Sequence, residues 1–215
     1  MYAQQLKMLL TPSEQKIFKK LSTPQKIQDF LDALPINFEL KGETYNSPRL
    51  ALKAGRVHCF EGALLAAAAF AYHGKPPLLL DLRATPDEDD HVVTLFQIAG
   101  RWGAISKTNH PVLRYRDPVY SSIRELAMSY FHEYVAPDLR KTLREFSAPF
   151  DLRRYPPERW VIGEKKLQWL ADALDRSRHF PIAPQKNLRL LRKASKLELK
   201  ASDIVEWKRG GKRIN

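Results

Sequence analysis

The chain has 215 residues, 44% of them hydrophobic, and a formal net charge of +12. That length buries one sizeable core and leaves room for an appended subdomain. A single cysteine, Cys59, excludes an internal disulfide and a cysteine-rich zinc site, and the longest apolar run, Ala63–Tyr72, is too short to span a bilayer. The stretch Met1-Tyr2-Ala3-Gln4-Gln5 lacks the basic-then-apolar pattern of a secretory signal, so a soluble cytoplasmic protein without membrane partners is expected.

The first elements are helices with clear punctuation. Thr11-Pro12-Ser13-Glu14 combines an N-cap, a proline at the first helical position and a capping-box glutamate, predicting a helix to about Leu21. Thr23-Pro24 repeats the signal. Ile27, Phe30, Leu31 and Leu34 then form a helical stripe that Pro35 stops. Residues 36–40 read as extended, and Ser47-Pro48 opens a short helix closed by Gly55. Cys59 begins a run dominated by Ala and Leu, with no charge between Glu61 and Lys75 and with Gly74 as its C-terminal glycine. A helix so apolar all round belongs in the centre of a domain.

Beyond Gly74 the pattern turns to strands. Residues 77–82, 91–98 and 102–106 predict an antiparallel meander of about three strands, with an acidic loop at 85–90 and a turn at Ala99-Gly100-Arg101. Helices are expected over 121–134 and 163–176, with a basic helix over 180–200. There is no internal repeat and no Gly-rich phosphate loop. The fold class is therefore α+β, divided as an N-terminal helical segment (1–46), a core (47–135) and a C-terminal helical extension with a basic tail (136–215). From Lys186 onward ten Lys or Arg face three acids. A solvated helix face and a frayed terminus account for that tail better than a nucleic-acid surface does, and with Trp207 its only aromatic residue a base-stacking platform is unsupported.

The chemistry centres on Cys59. In the first turn of a helix, unsatisfied N–H groups and the dipole favour a thiolate. Such a nucleophile needs a base, and the base needs an orienting group. His91, at the start of a strand, is the candidate base. The turn at Gly100 brings the following strand opposite it, which makes Asn109 the orienting candidate and Ser106 the alternative. His58 is expected at the rim, because neighbouring helix residues face different ways. Arg49, Lys107 and Arg114 are candidate cleft cations for an acidic substrate, and His110 a candidate substrate contact. No metal or other cofactor is expected: Asp87-Glu88-Asp89-Asp90 lacks the alternation and glycine of a calcium loop, and Cys59, His91 and His110 contain no close-spaced ligand pair.

These pieces carry a resemblance. His58-Cys59-Phe60-Glu61-Gly62-Ala63, Asp89-Asp90-His91-Val92, Arg101-Trp102-Gly103-Ala104-Ile105-Ser106-Lys107-Thr108-Asn109 and Arg116-Asp117-Pro118-Val119-Tyr120 resemble, over roughly residues 25–135, the transglutaminase-like superfamily and its small bacterial branch. The resemblance implies a papain-like core, with a Cys-bearing helix packed on a small antiparallel sheet. By it Cys59 is the nucleophile and His91 the base of a Cys-His-Asn triad. The enzyme implied is a hydrolase or acyltransferase (peptidase, amidase or transamidase) that forms a thioester with a peptide, protein or small amide. Better-known members place Asp four residues after the strand tryptophan, where this chain has Ser106, so the third role falls to Asn109. Two alternatives remain: a binding or scaffold protein that kept the fold without its chemistry, and a nucleic-acid-associated protein using the tail.

Overall fold

The computed structural model describes residues 1–40 and 42–214. The fold is mixed α+β. Four helices come first: α1 (Tyr2–Leu9), α2 (Pro12–Lys20), α3 (Pro24–Ala33) and α4 (Pro48–Ala54). The capping signals act as expected. Thr11 Oγ1 accepts from Glu14 N and the Glu14 carboxylate accepts from Thr11 N, while Thr23 and Ser47 accept from Lys26 N and Leu50 N. All four helices lie in one apolar cluster with α5 (Cys59–Tyr72), of which every residue from Phe60 to Tyr72 is buried. Each fully buried leucine on α5, such as Leu64 and Leu65, contributes about 1.5–3 kcal/mol. Gly74 ends the helix at φ 73°, a left-handed turn that glycine adopts without a Cβ clash.

The strands β1 (Leu78–Arg83), β2 (His91–Ile98), β3 (Arg101–Ile105) and β4 (Arg116–Tyr120) run antiparallel. The chain then forms α6 (Ile123–Met128), β5 (Glu145–Ser147), β6 (Phe150–Asp151), α7 (Pro157–Trp160), α8 (Gln168–Asp175) and β7 (His179–Pro181). Last come α9 (Gln185–Leu188), α10 (Lys196–Ser202) and a hairpin of β8 (Trp207–Lys208) with β9 (Lys212–Arg213). The main sheet has the order β4-β3-β2-β1-β5-β7, and β6 also pairs with β1. Leu79, Val92 and Phe96 face α5, whereas Leu80, Leu82, Val93 and Leu95 pack with α6, Tyr130 and Tyr134 on the other face. Thr94 ties sheet to helix by donating to Ala63 O at 2.6 Å. No helix among the described residues is long and apolar enough to cross a membrane.

Several elements differ from expectation. The helix α1 carries no cap signal and was not anticipated. The helix expected over 121–134 ends at Met128, where the Ser129 hydroxyl donates back to Leu126 O, and only a single 3-10 turn follows at Phe131–Glu133. The helix expected from Gly163 starts at Gln168, because Leu167 N is bound to Tyr45 O at 2.7 Å. Residues 116–120, with Pro118, form an edge strand, a position where a missing N–H is tolerated. The expected C-terminal helical extension also supplies β5, β6 and β7 to the main sheet, and strands of two or three residues leave no readable periodicity.

Candidate active site

Cys59 is the first residue of α5, so its backbone N–H has no acceptor within the helix. The buried helix sets its position, and the residue, half-buried, lines a cleft of about 490 Å³. Two histidines flank it. His91 opens β2 and is buried, paired across the sheet with Leu82. Its Nε2 lies 2.7 Å from Ser106 Oγ, and the Ser106 hydroxyl donates to Leu113 O at 2.5 Å. With its proton committed to that carbonyl, Ser106 Oγ accepts from His91 Nε2–H, and the tautomer leaves Nδ1 for the thiol. Ser106 is itself held from α3. The Gln28 side chain accepts from Ser106 N at 3.0 Å and donates to Ser106 O at 2.8 Å, a bidentate grip that mimics a strand neighbour.

The second histidine is His58, the N-cap residue, whose Nδ1 is 3.9 Å from Cys59 Sγ. Its Nε2 is 3.6 Å from both Glu39 and Glu61 carboxylates. Glu61 is fully buried and saturated: it accepts from Asn37 Nδ2, Thr44 Oγ1, Asn46 N and His58 N. These bonds fold the 37–46 linker over the helix start and bring Glu39, at φ 49°, beside His58. Burial alone would lower the His58 pKa, but the adjoining thiolate, Glu61 and Glu39 overcome it and raise the ring to about 9. Burial alone would likewise raise the Cys59 pKa. Contacts to His58 and His91 reverse that and lower the thiol to about 5. The site is thus built to hold a thiolate beside an imidazolium.

Asn109 is not part of this arrangement. Its side-chain amide is engaged by the C-terminal hairpin, donating to Trp207 O at 3.1 Å and accepting from Trp207 N at 2.8 Å. The expectation assumed that β3 continues past Ile105, but pairing stops there and the chain turns into a loop. The expected cleft cations are elsewhere too. Arg49 pairs with Glu14 at 2.7 Å and Arg114 with Glu206 at 3.0 Å. His110 Nδ1 lies against Ser202 O at 2.8 Å. Lys107 is buried, its Nζ donating to Leu31 O and Leu34 O, where it caps the C-terminal carbonyls of α3; burial lowers its pKa to about 8.

The residues around the thiol are acidic instead. Seven of the fifteen cleft-lining residues are Asp or Glu and none is Lys or Arg. They come from the 37–46 linker, β1, the loop before β2, and α8. Sequence reasoning missed this, and it also missed His58, Glu61 and Gln28. The misreading of His58 has a definite cause: an N-cap residue has extended backbone, here ψ −172°, so its side chain does not follow the helical rotation that separates neighbours. The legible signal was His58-x-x-Glu61, the N-cap to N3 spacing. Neither a protein-family model nor a curated protein matches the sequence of the chain.

Proposed function

We propose that the chain is a transglutaminase-like cysteine enzyme with a papain-like core, acting as an amide hydrolase or acyltransferase. The observation that carries the reading is Cys59 at the first position of a buried helix, lining a cleft, with His91 near enough to lower the thiol pKa and itself held by Ser106. In this reading the thiolate attacks an amide carbonyl. The Cys59 N–H, unpaired within the helix, helps hold the oxyanion. The thiol proton taken up by His91 Nδ1 then passes to the leaving amine as the carbon–nitrogen bond breaks. Water or a second amine then attacks the thioester, and His91 takes the proton back. Ser106 takes the orienting position that the sequence assigned to Asn109. It orients the ring without adding negative charge. His58 holds positive charge against the thiolate.

Mass spectrometry of Cys59 after incubation with cell extract tests the reading, with an acyl adduct absent from Cys59→Ala protein as the expected result. If the thiol collects no adduct and reacts with iodoacetamide no faster than a free thiol at neutral pH, the chemistry is lost. The neutral Ser106 would then mark a binding protein that kept the fold.

A further inference from the structure

Within the cleft, the carboxylates of Asp81, Asp90 and Asp175 bring one oxygen each to within 4.8 Å of one another. They come from β1, from the residue preceding β2 and from the end of α8. Asp81 is the decisive member. It is 3% exposed on a central strand, and its Oδ2 is 3.1 Å from His179 Nε2, yet its Oδ1 is buried with no hydrogen-bond partner. A buried carboxylate oxygen left bare is costly, and in a native chain it calls for a bound partner such as a water, an ion or a ligand group. Asp90 adds a second unbalanced charge: among the described residues no Lys, Arg or His bridges it, and only Ala84 N donates to it, at 2.8 Å. Partial burial of its carboxyl group pushes it up to about 6, against the Ala84 N–H bond and with a smaller push from Asp81.

We propose that Asp81, Asp90 and Asp175 form a subsite for a primary ammonium carried by the amide substrate of Cys59, so that the acyl donor is a lysine-like cationic amide. This rests on the enzymatic reading above and names the substrate class for the same cleft. Three observations select an ammonium over other cations. A primary ammonium offers three donors from one point, and bonds of ordinary length reach converging acceptors about 4.6 Å apart, whereas a guanidinium spreads its five donors around the edge of one plane and meets carboxylates from the side, as Arg83 does with Glu145 and Asp175. A calcium ion takes six to eight oxygens and tolerates adjoining cations poorly. Here Arg83 already holds Asp175 at 2.8 Å. His179 faces acceptors with both ring nitrogens, Ser177 O and Asp81, and so stands as an imidazolium against Asp81. The remaining carboxylate, Asp90, calls for one further positive charge. The same cleft supplies Tyr45, Phe60, Val92 and Leu174 to cover methylenes, and Glu39 and Glu43 to meet a second cation. The free thiol meets the acyl donor before any acceptor, so the carboxylates act first on the donor.

Cys59→Ala protein keeps the cleft and performs no chemistry, which separates this proposal from the enzymatic one. Calorimetric titration with Nα-acetyl-lysine methylamide should show binding at least tenfold tighter than with the norleucine analogue, which lacks only the ammonium. Asp90→Asn keeps an oxygen for Ala84 N and sits at an exposed position, so the variant should fold, as checked by circular dichroism, and lose most of that preference. Equal binding of the two amides, or binding of neither, overturns the subsite. So does a preference untouched by Asp90→Asn, or calcium chloride binding that expels the lysine amide. A thiol shown to be inert, together with intact lysine selectivity, would sink the enzymatic reading and leave the subsite standing.

Discussion

At Cys59 the balance of forces is between burial, which protects the thiol proton, and two imidazoles, which remove it. The imidazoles prevail, with the thiol at about 5 and His58 at about 9. The groups facing the pair are His91 on β2, Glu39 on the linker and Glu61 within α5. Between those values the residues form an ion pair. The alkylation rate should therefore climb as pH rises through about 5, stay level, and change again near 9 as His58 loses its charge. In His58→Gln the lower midpoint should move up toward the ordinary thiol value of about 8.5; a midpoint still near 5 would assign the whole effect to His91. Ser106 acts one bond further out. Removing its hydroxyl in Ser106→Ala leaves His91 Nε2–H without its acceptor, so nitrogen NMR should show a mixture of ring tautomers in place of one. Turnover of any amide that traps on Cys59 should fall on the order of 10²-fold. That is less than the ~10⁴ lost when an orienting aspartate is replaced, because a neutral hydroxyl fixes the ring without stabilising its charge. A single tautomer in the variant would mean that packing alone holds the ring.

The elements matter because they hold these side chains at a fixed separation. Helix α5 and the loop after β3 approach closely at Gly62, where a Cβ would lie 2.7 Å from Lys107 Cβ, a rigid neighbour and not a flexible end. Ala is favoured over Gly in a helix by about 1 kcal/mol. The overlap should nonetheless dominate, and Gly62→Ala should destabilise by about 1–3 kcal/mol, lowering Tm by about 2–4 °C for each kcal/mol. An unchanged or raised Tm would show that the loop yields freely. Gln28→Ala probes the other support. It strips both backbone groups of Ser106 of their partners and should cost about 1–3 kcal/mol in urea unfolding, with the His91 tautomer disturbed as well. These contacts also explain what the sequence concealed. Capped helices and the first three strands announce themselves locally; Cys59 and His91 lie on them, and Ser106 comes one residue after β3. The grip of Gln28 on Ser106 spans 78 residues and that of Asn109 on Trp207 spans 98, so neither leaves a local pattern. Asn109 looked like a partner for His91 because strand register was extrapolated past Ile105. Arg49, Lys107 and Arg114 looked free because their carboxylate and carbonyl partners are remote in sequence.

The whole molecule carries a contradiction of sign. Its net charge is +12, yet the cleft over its only thiol is lined by seven carboxylates and no Lys or Arg. More than half of the excess positive charge lies beyond residue 185, and the last hairpin packs against the loop that follows β3 through Trp207 and the Arg114–Glu206 pair, not over the cleft lining. A reagent approaching Cys59 therefore meets two fields of opposite sign and different reach. At 0.01 M ionic strength the Debye length is about 30 Å, comparable to the molecule, so the global positive field recruits anions. At 0.15 M it is about 8 Å, so distant basic residues are screened while carboxylates within the cleft still act. Two thiol reagents of similar size, one with a quaternary ammonium and one with a sulfonate, separate the two fields. The ratio of cationic to anionic modification rates should rise as salt increases from 0.01 to 0.15 M. It should fall back toward the ratio for a small free thiol near 1 M, where about 3 Å of screening length silences the cleft as well. Global charge acting alone predicts a ratio that starts low and climbs to the free-thiol value without exceeding it. A maximum above that value at intermediate salt is thus the signature of the local carboxylates, and Asp90→Asn should lower it.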